Sequence, residues 1–303
     1  MSATNLTFGE VRLQIAKRFP GYDPEVVTSF LNERYRDVCR LCNWTSLKLR
    51  AMFSTSAPYQ TGTVAVSSGS VALTGTGTAW AAAMSGWWIR FGSDDSYYTF
   101  IQTSPTTATL DRPYEGVDNA AASYTLWRTI FVLPDDVREP SEFTVMNPAG
   151  AILPTSETVL DADDPTRTRR GKPSRWAPYQ SDASTPERQQ IELSPGPDKV
   201  YGIQFWYVQD PSMFEMSDTA VFLPKWFTPN ALYHGVEADI RRVLDKDLNL
   251  AGAAETLFDK DVLGLKATDA MKKGPTRLQQ SAWAQRRLSE TRSEDYIDRY
   301  LSE

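Results

Sequence analysis

The feature that most constrains the fold is a stretch of short alternating segments in the middle of the chain, Thr61–Leu133. Within it, apolar and polar side chains alternate over short runs, and clusters of Ser, Gly, Asp and Asn separate these runs. Alternation with a period of two is typical of strands with one buried face, and the clusters favour turns. The stretch therefore predicts a compact antiparallel β module, with strands near Thr63–Val66, Ser70–Thr74, Trp87–Phe91, Tyr97–Thr103, Thr107–Leu110 and Ser123–Leu126.

The residues before this module have helical periodicity. Thr7 and Glu10 match a capping box, in which the Thr hydroxyl accepts a backbone N–H and the Glu side chain reaches back. Pro20-Gly21 ends this first helix, and Asp23-Pro24 begins a second one with Asp as N-cap and Pro at the first helical position. The sequence therefore predicts two amphipathic helices, with apolar stripes at Phe8, Val11, Ile15 and Phe19, and at Val27, Phe30, Leu31, Val38 and Leu41.

A second pair of helices is predicted far downstream, where Thr228-Pro229 and Asn249 mark the two starts. An amphipathic helix cannot bury its apolar stripe alone, so we expect the two pairs to pack on each other as a bundle. The predicted stripes are Leu232, Val236, Ile240 and Val243 in the first helix, and Ala254, Leu257, Phe258, Val262 and Leu265 in the second.

These patterns together predict an α+β fold. We expect a bundle of about four helices, two N-terminal and two C-terminal, with an inserted antiparallel β module and a second, smaller β region. An extended C-terminal tail follows. The predicted divisions are 1–58 and 221–273 for the bundle, 59–133 for the β module, 134–220 for an irregular and β region, and 274–303 for the tail.

A loop at Thr166–Trp176 is rich in Pro, Gly and Arg, and it concentrates positive charge. Such a cluster is able to contact DNA phosphates or an acidic partner surface. Three aspartates that immediately precede the loop would partly neutralise it, so a solvated loop is the alternative interpretation. The candidate contact residues are Arg167, Arg169, Arg170, Lys172 and Arg175.

The final segment, from about Gly274 onward, is polar and carries isolated aromatic and aliphatic side chains. A segment with so little apolar area rarely offsets its ordering entropy alone, and it commonly orders on a partner. Spaced aromatic residues are then the usual anchors. A frayed or self-packed terminal helix is the alternative. The candidate partner-binding residues are Trp283, Arg286, Arg287, Leu288, Tyr296 and Tyr300.

Composition excludes some classes of function. A formal net charge of −6 argues against a protein that grips nucleic acid with its whole surface. No apolar run approaches the ~20 residues that span a bilayer, so we expect no membrane partner. The first residues lack the basic and apolar regions of a signal peptide. We therefore expect a soluble protein made in the cytoplasm.

Residues that could carry catalysis are sparse. Cys39 and Cys42 lie within a helical pattern and are expected to be structural, because the chain has no further cysteine and only one histidine, His234, to complete a zinc site. No phosphate-binding loop is present, and Asp94-Asp95, between two predicted strands, is typical of acids that bond backbone amides in turns. We predict no catalytic, metal-binding or cofactor-binding residue, no cofactor and no enzymatic activity.

The β module also carries the series T-G-T-V-x-V, G-S-x-x-L-T-G-T-G-T-A-W, G-x-x-I-R-F, Y-Y-T-F-I and L-D-R-P-Y-E-G. With the second helix, F-L-N-E-R-Y-R-D-V-C-R-L-C-N-W, and the turn L-P-D-D-V-R-E, this series resembles the head-to-tail adaptor proteins of short-tailed bacteriophages. The resemblance covers roughly residues 8–140. Its motifs are structural and carry no chemistry.

The resemblance implies a structural protein of the virion neck, assembled in the cytoplasm of the bacterial host. Such proteins form a ring of copies, twelve where the portal is a dodecamer, and the ring docks beneath the portal protein. A downstream tail or nozzle protein would follow, and genomic DNA would pass transiently through the lumen. The C-terminal tail is then expected to reach onto the portal.

Two alternative functions stay open. The aromatic residues of the β module are able to stack on sugar rings, which would make it a glycan-binding part of a tail component. This hypothesis predicts exposed tryptophans on one face, among Trp80, Trp87, Trp88, Tyr97 and Tyr98. A tail-associated cell-wall hydrolase would instead need two carboxyl groups that face each other across a cleft. Candidate acids are Asp94, Asp95, Asp135, Asp136, Asp161, Asp163 and Asp164.

Overall fold

A computed structural model describes residues 7–92, 94–182, 187–211 and 229–272. The chain divides into two compact units, one made of Met1–Leu47 and Pro211–Glu303 and the other of Lys48–Asp210. The fold class that we predicted is wrong. The described residues form 17 strands in four sheets and only five α-helices, so the chain is β-rich and is not a helical bundle with a small β insertion.

The error comes from the segments outside the central module. Residues Lys48–Ser54, which we assigned to the bundle, form a strand at the edge of a sheet, where both faces are largely exposed and alternation is weak. The region after residue 134, which we expected to be irregular with a smaller β region, contributes eight of the strands. Several of these strands are only two residues long, too short to show any period.

The helices of the described residues are α1 (Phe8–Arg18), α2 (Pro24–Arg40), α3 (Glu157–Asp163), α4 (Pro229–Asp239) and α5 (Leu248–Lys272). A π-helical turn, Ile240–Leu244, follows α4. Of these helices, α3 belongs to the second unit and the others to the first. Within the described ranges, no helix combines the length and the apolar character that a membrane span requires.

The predicted helix starts are confirmed. The Glu10 N–H donates to the Thr7 hydroxyl at 3.1 Å, and the Thr7 N–H donates to the Glu10 carboxylate at 2.7 Å, which completes the capping box. At α2, Asp23 accepts the Glu25 N–H at 2.9 Å and Pro24 occupies the first turn. Both caps satisfy backbone donors that a helix start leaves unpaired.

The strands are β1 (Lys48–Ser54), β2 (Thr63–Val66), β3 (Ala72–Thr76), β4 (Trp87–Phe91), β5 (Tyr98–Gln102), β6 (Thr107–Leu110), β7 (Asn119–Ala122), β8 (Tyr124–Trp127), β9 (Ile130–Val132), β10 (Val137–Val145), β11 (Gly150–Ala151), β12 (Leu153–Pro154), β13 (Arg170–Gly171), β14 (Arg175–Asp182), β15 (Arg188–Ser194), β16 (Gly196–Pro197) and β17 (Gly202–Gln209). The six strands that we predicted in the central module are confirmed, and β7 is a seventh that we did not predict.

The seven strands of the central module form one antiparallel sheet in the order β7-β2-β3-β6-β5-β4-β8. Its two edge strands follow each other along the chain and are separated only by Ser123, so the sheet curls into a nearly closed barrel. Tyr59 pairs with the edge strand β8, since it exchanges two backbone hydrogen bonds with Leu126, at 2.8 and 2.9 Å. The core contains Val64, Val66, Leu73, Trp80, Trp87, Ile89, Phe91, Tyr98, Phe100, Ala108, Leu110, Tyr114, Ala122, Tyr124 and Leu126.

Two further four-stranded sheets, in the orders β1-β17-β10-β11 and β12-β14-β15-β9, share a second core. Phe143 joins them: its ring stacks on Phe205 of its own sheet, with centroids 4.9 Å apart, and contacts Trp176 of the other sheet at 4.6 Å. The remaining sheet is a short parallel pair, β13 and β16. The second unit therefore combines a barrel with a two-sheet sandwich.

In the helical unit, α4 packs against both α2 and α5. The guanidinium group of Arg34 on α2 spans the three helices. It donates to Asp239 on α4 at 2.6 Å and to Glu255 on α5 at 2.8 Å, and it lies over the ring of Phe258. Arg242 also contacts Glu255, at 3.0 Å. Because Arg34 is buried, its charge needs these partners, and the cluster holds the three helices in one arrangement.

Gly235 of α4 makes room for this cluster. A Cβ atom at this position would lie 3.0 Å from Cδ of Arg34 and 3.0 Å from Cδ2 of Phe258. A close approach of this kind explains a glycine in a helix interior, where glycine otherwise costs about 1 kcal/mol relative to alanine.

We predict that Gly235→Val destabilises the helical unit by about 1–3 kcal/mol, the usual cost of overpacking, because the pinned Arg34 side chain cannot move aside. The matched control is Gly252→Val on α5, where an added Cβ meets nothing within 4 Å. This control is expected to change stability by less than about 0.5 kcal/mol. Thermal unfolding followed by helical circular dichroism measures both. Equal stability of the two variants would contradict the packing role of Gly235.

The charge cluster also predicts a pH dependence. Hydrogen bonds from Arg34 lower the pKa of Glu255 below its ordinary value of 4.5, so the unfolded chain binds this proton more readily than the folded chain. The stabilisation is complete above pH 4.5 and is lost as the pH falls through the lowered pKa. We expect Glu255→Gln to flatten the acid side of the curve of stability against pH. Asp259→Asn, which removes an exposed carboxylate of the same helix that lies outside the Arg34 cluster, is the matched control.

Candidate functional site

The basic loop that we predicted as a contact site is largely held by internal partners. Arg167 is half-buried, and its guanidinium group donates to Glu192 at 2.6 and 3.1 Å and also pairs with Asp161. Glu192 lies on β15 and is itself 2% exposed. Arg175 forms an ion pair with Asp163. Two of the three aspartates before the loop, Asp161 and Asp163, therefore pair with its arginines.

Two further basic side chains of the loop also contact other parts of the protein. Arg170 lies over the ring of Trp127, 4.1 Å from its centroid, and burial lowers the pKa of Arg170 to about 10. Lys172 donates to the carbonyl of Ala149 at 3.1 Å. Of the five candidates, Arg169 alone is exposed without a side-chain partner in the ranges that the structure describes. Contact of the loop with phosphate stays a prediction, and Arg169 is the side chain most available for it.

We predict that Arg167→Met destabilises the second unit by about 3–5 kcal/mol, because it leaves the buried Glu192 carboxylate without its charged partner. The matched control is Arg169→Met in the same loop, with an expected change within about 0.5 kcal/mol. The double variant Arg167→Met/Glu192→Gln is expected to recover most of the loss, since it removes both charges. Denaturant unfolding measures all three, and an Arg167→Met variant as stable as the control would contradict the assignment.

The aromatic residues considered for glycan binding belong mostly to the barrel core. Trp80, Trp87 and Tyr98 are buried, and the Trp80 indole donates to the Tyr124 hydroxyl at 2.9 Å. Trp88 is half-buried, and its indole donates to Thr129 at 2.9 Å. These side chains do not form an exposed aromatic row, which is the feature that the glycan-binding hypothesis needs.

The acidic clusters are likewise bonded to neighbours. Tyr114 donates its hydroxyl to Asp94, and Tyr207 donates to Asp136, each at 2.9 Å. Burial and these hydrogen bonds raise the pKa of both tyrosines to about 12. In the loop, Asp164 accepts the N–H groups of residues 168 and 169 at 3.1 and 2.8 Å. Each cluster thus contributes at least one carboxylate to structural contacts.

The other chemically reactive residues are dispersed. His234 lies in α4, and its Nδ1 atom is 3.0 Å from a carboxylate oxygen of Asp261 on α5. Cys39 is buried, Cys42 is half-buried, and neither forms a disulfide bond. Within the described part of the chain, no group of three or more His, Cys, Asp and Glu side chains is placed to hold a metal ion.

The candidate portal-binding residues lie outside the described residues, so their role stays a prediction. They are Trp283, Arg286, Arg287, Leu288, Tyr296 and Tyr300.

The structure reveals a surface that the sequence analysis missed, the exposed apolar face of α5. Contrary to our prediction, Leu257 lies outside the buried stripe and is 46% exposed, and Leu250, Leu263 and Met271 are 51%, 66% and 84% exposed. Around them lie small residues, Gly252, Ala253, Gly264 and Ala267, all exposed. Another side of the same helix buries Ala251, Ala254, Phe258, Val262 and Leu265.

The spacing of this second stripe is visible in the sequence. Leu250, Leu257, Gly264 and Met271 recur every seven residues and so lie along one side of the helix, next to the buried stripe. A helix that is apolar on two sides is typical of one that another element covers. We call the exposed surface formed by Leu250, Ala253, Leu257, Gly264 and Met271 the α5 face.

A second exposed ridge runs along α2. Val26 and Phe30 are half-buried, and Leu41, which we predicted in the buried stripe, is 49% exposed. Glu33 and Asp37 are exposed between them. All five positions fall within one side of the helix at its period of 3.6 residues. We call these five residues the α2 ridge.

No protein-family model matches the chain, and no curated protein sequence matches it.

Proposed function

We propose that the chain is a structural virion protein, a ring-forming head-to-tail adaptor that docks on the portal and connects the capsid to the tail. In this role it leaves a channel for DNA and performs no catalysis. The observation that carries the proposal is the α5 face, a long apolar helical surface that is exposed in the single chain. Exposed apolar surface of this extent is typical of a protein that buries it against another chain.

The motifs that resemble adaptor proteins support the same role. In the structure they build the barrel: Trp80, Ile89, Phe91 and Tyr98 are core residues. At Gly75, an added Cβ would lie 2.3 Å from Oγ1 of Thr78 and 2.9 Å from the Trp80 ring. The T-G-T-G-T-A-W motif is therefore required for close packing of the barrel wall. This is what a motif with a structural role would do.

The two alternatives have weaker support. A glycan-binding surface needs exposed aromatic rings, whereas most of the candidate rings are core residues. A hydrolase needs a free acid and a free base or nucleophile, whereas the acidic clusters are engaged with tyrosines, arginines and backbone amides.

The experiment that tests the proposal is co-assembly with the purified portal ring of the same phage. We expect stoichiometric ring-on-ring complexes, seen by native mass spectrometry and negative-stain imaging. A chain ending at Gly274 is expected to bind more weakly, because spaced aromatics such as Trp283 and Tyr300 act as anchors. The full chain with Trp283→Ala and Tyr300→Ala serves as the matched control for the truncation.

A full chain that forms no complex with the portal would contradict the proposal. A complex that is unaffected by truncation would retain the function and move the portal contact away from the C-terminal tail.

A further inference from the structure

The α5 face and the α2 ridge are complementary in chemistry. The α5 face is apolar and is bordered by Lys260, which is exposed. The α2 ridge carries apolar side chains together with the carboxylates of Glu33 and Asp37. Within the described ranges none of these three charged groups has an ion-pair partner. Opposite charges around apolar contacts favour a specific register between two surfaces.

The two surfaces are different patches of the helical unit. α4 packs against both α2 and α5, and the α5 face and the α2 ridge lie on exposed sides of their helices. A contact between two different surfaces of identical copies is a head-to-tail contact, which closes a ring when the rotation allows.

The small residues of α5 allow close contact. Ala253 and Gly264 have little or no side chain, and no other group lies within 4 Å of a Cβ placed at Gly264. Helices with small residues at their contact pack at the short end of the usual range of ~8–10 Å between axes. Phe30 and Leu41 of an approaching α2 would then fit between Leu250, Leu257 and Met271.

We infer that the α5 face of one copy binds the α2 ridge of a second copy, so that the protein associates head to tail through its helical units. This inference rests on the proposed function and specifies how the ring is joined. The occupant of the α5 face is thus another copy of the chain, and the portal and the chain's own C-terminal tail are the competing occupants.

The test uses three single variants of the full chain and measures self-association by analytical ultracentrifugation. Leu257→Arg disrupts the α5 face, and Leu41→Arg disrupts the α2 ridge. Leu13→Arg, on α1, replaces a leucine that is 54% exposed and belongs to neither surface, so it is the matched control. We expect each of the first two variants to associate at least tenfold more weakly than the wild type, and the control to associate normally.

Mixing the two disrupted variants separates a head-to-tail contact from a symmetric one. Each variant keeps one intact surface, so an equimolar mixture of Leu257→Arg and Leu41→Arg is expected to form dimers that do not grow further. Normal association of Leu41→Arg beside a monomeric Leu257→Arg would show α5 packing on α5, and this would overturn the inference.

A second pair of variants tests the charges. Lys260→Glu and Glu33→Lys are each expected to weaken association, and the double variant is expected to restore it.

The remaining outcomes distinguish the competing occupants. If the full chain stays monomeric while a chain ending at Gly274 self-associates, the C-terminal tail covers the α5 face and the inference is wrong. If neither associates and Leu257→Arg abolishes portal binding, the portal is the occupant and the inference is again wrong. In that case the proposed function stands, because binding to the portal is measured separately.

Discussion

The helical unit depends on one buried charge, the guanidinium group of Arg34. Removing such a group from water costs several kcal/mol, and its partners must repay that cost with good geometry. Asp239 and Glu255 meet this requirement, and Arg242 balances the second carboxylate. The partners lie 205 and 221 residues away from Arg34 in sequence, so the cluster forms only when the two ends of the chain meet. The same constraint orients α2 and α5, and it thereby leaves the α5 face and the α2 ridge exposed.

In the second unit the charges of the basic loop have a comparable role. A run of arginines predicts a surface for anions, but a buried carboxylate elsewhere in the fold changes that expectation. Glu192 lies on β15 with almost no access to water, and Arg167 is the group that neutralises it. The neighbouring loop residues Arg170 and Arg175 then contact Trp127 and Asp163. The loop therefore acts mainly to fasten residues 161–175 to the sandwich.

Local patterns in the sequence predicted the elements that depend on neighbouring residues. The capping box at Thr7 and the strands of the barrel follow from spacings of a few positions, and both are confirmed. The extent of the sandwich was underestimated because β1 is an exposed edge and several of its strands are too short to alternate. The candidate surface was missed because Leu257 fits either of two stripes on α5. Only the packing of Phe258 against Arg34 decides between them.

An adaptor must be stable in water before assembly and yet bind strongly in the ring, and α5 offers a physical way to meet both demands. Its exposed Leu250, Leu257 and Met271 are separated by one and by two heptads. A heptad advances about 10.5 Å along the helix axis, and small residues lie between the larger side chains. Each contributes little exposed apolar area alone, so a free chain tolerates them. A helix aligned along the whole face would cover all of them at once and gain about 25 cal/mol for each Å² of apolar area removed from water. Association would then depend on alignment, which favours a ring of regular contacts over random aggregation.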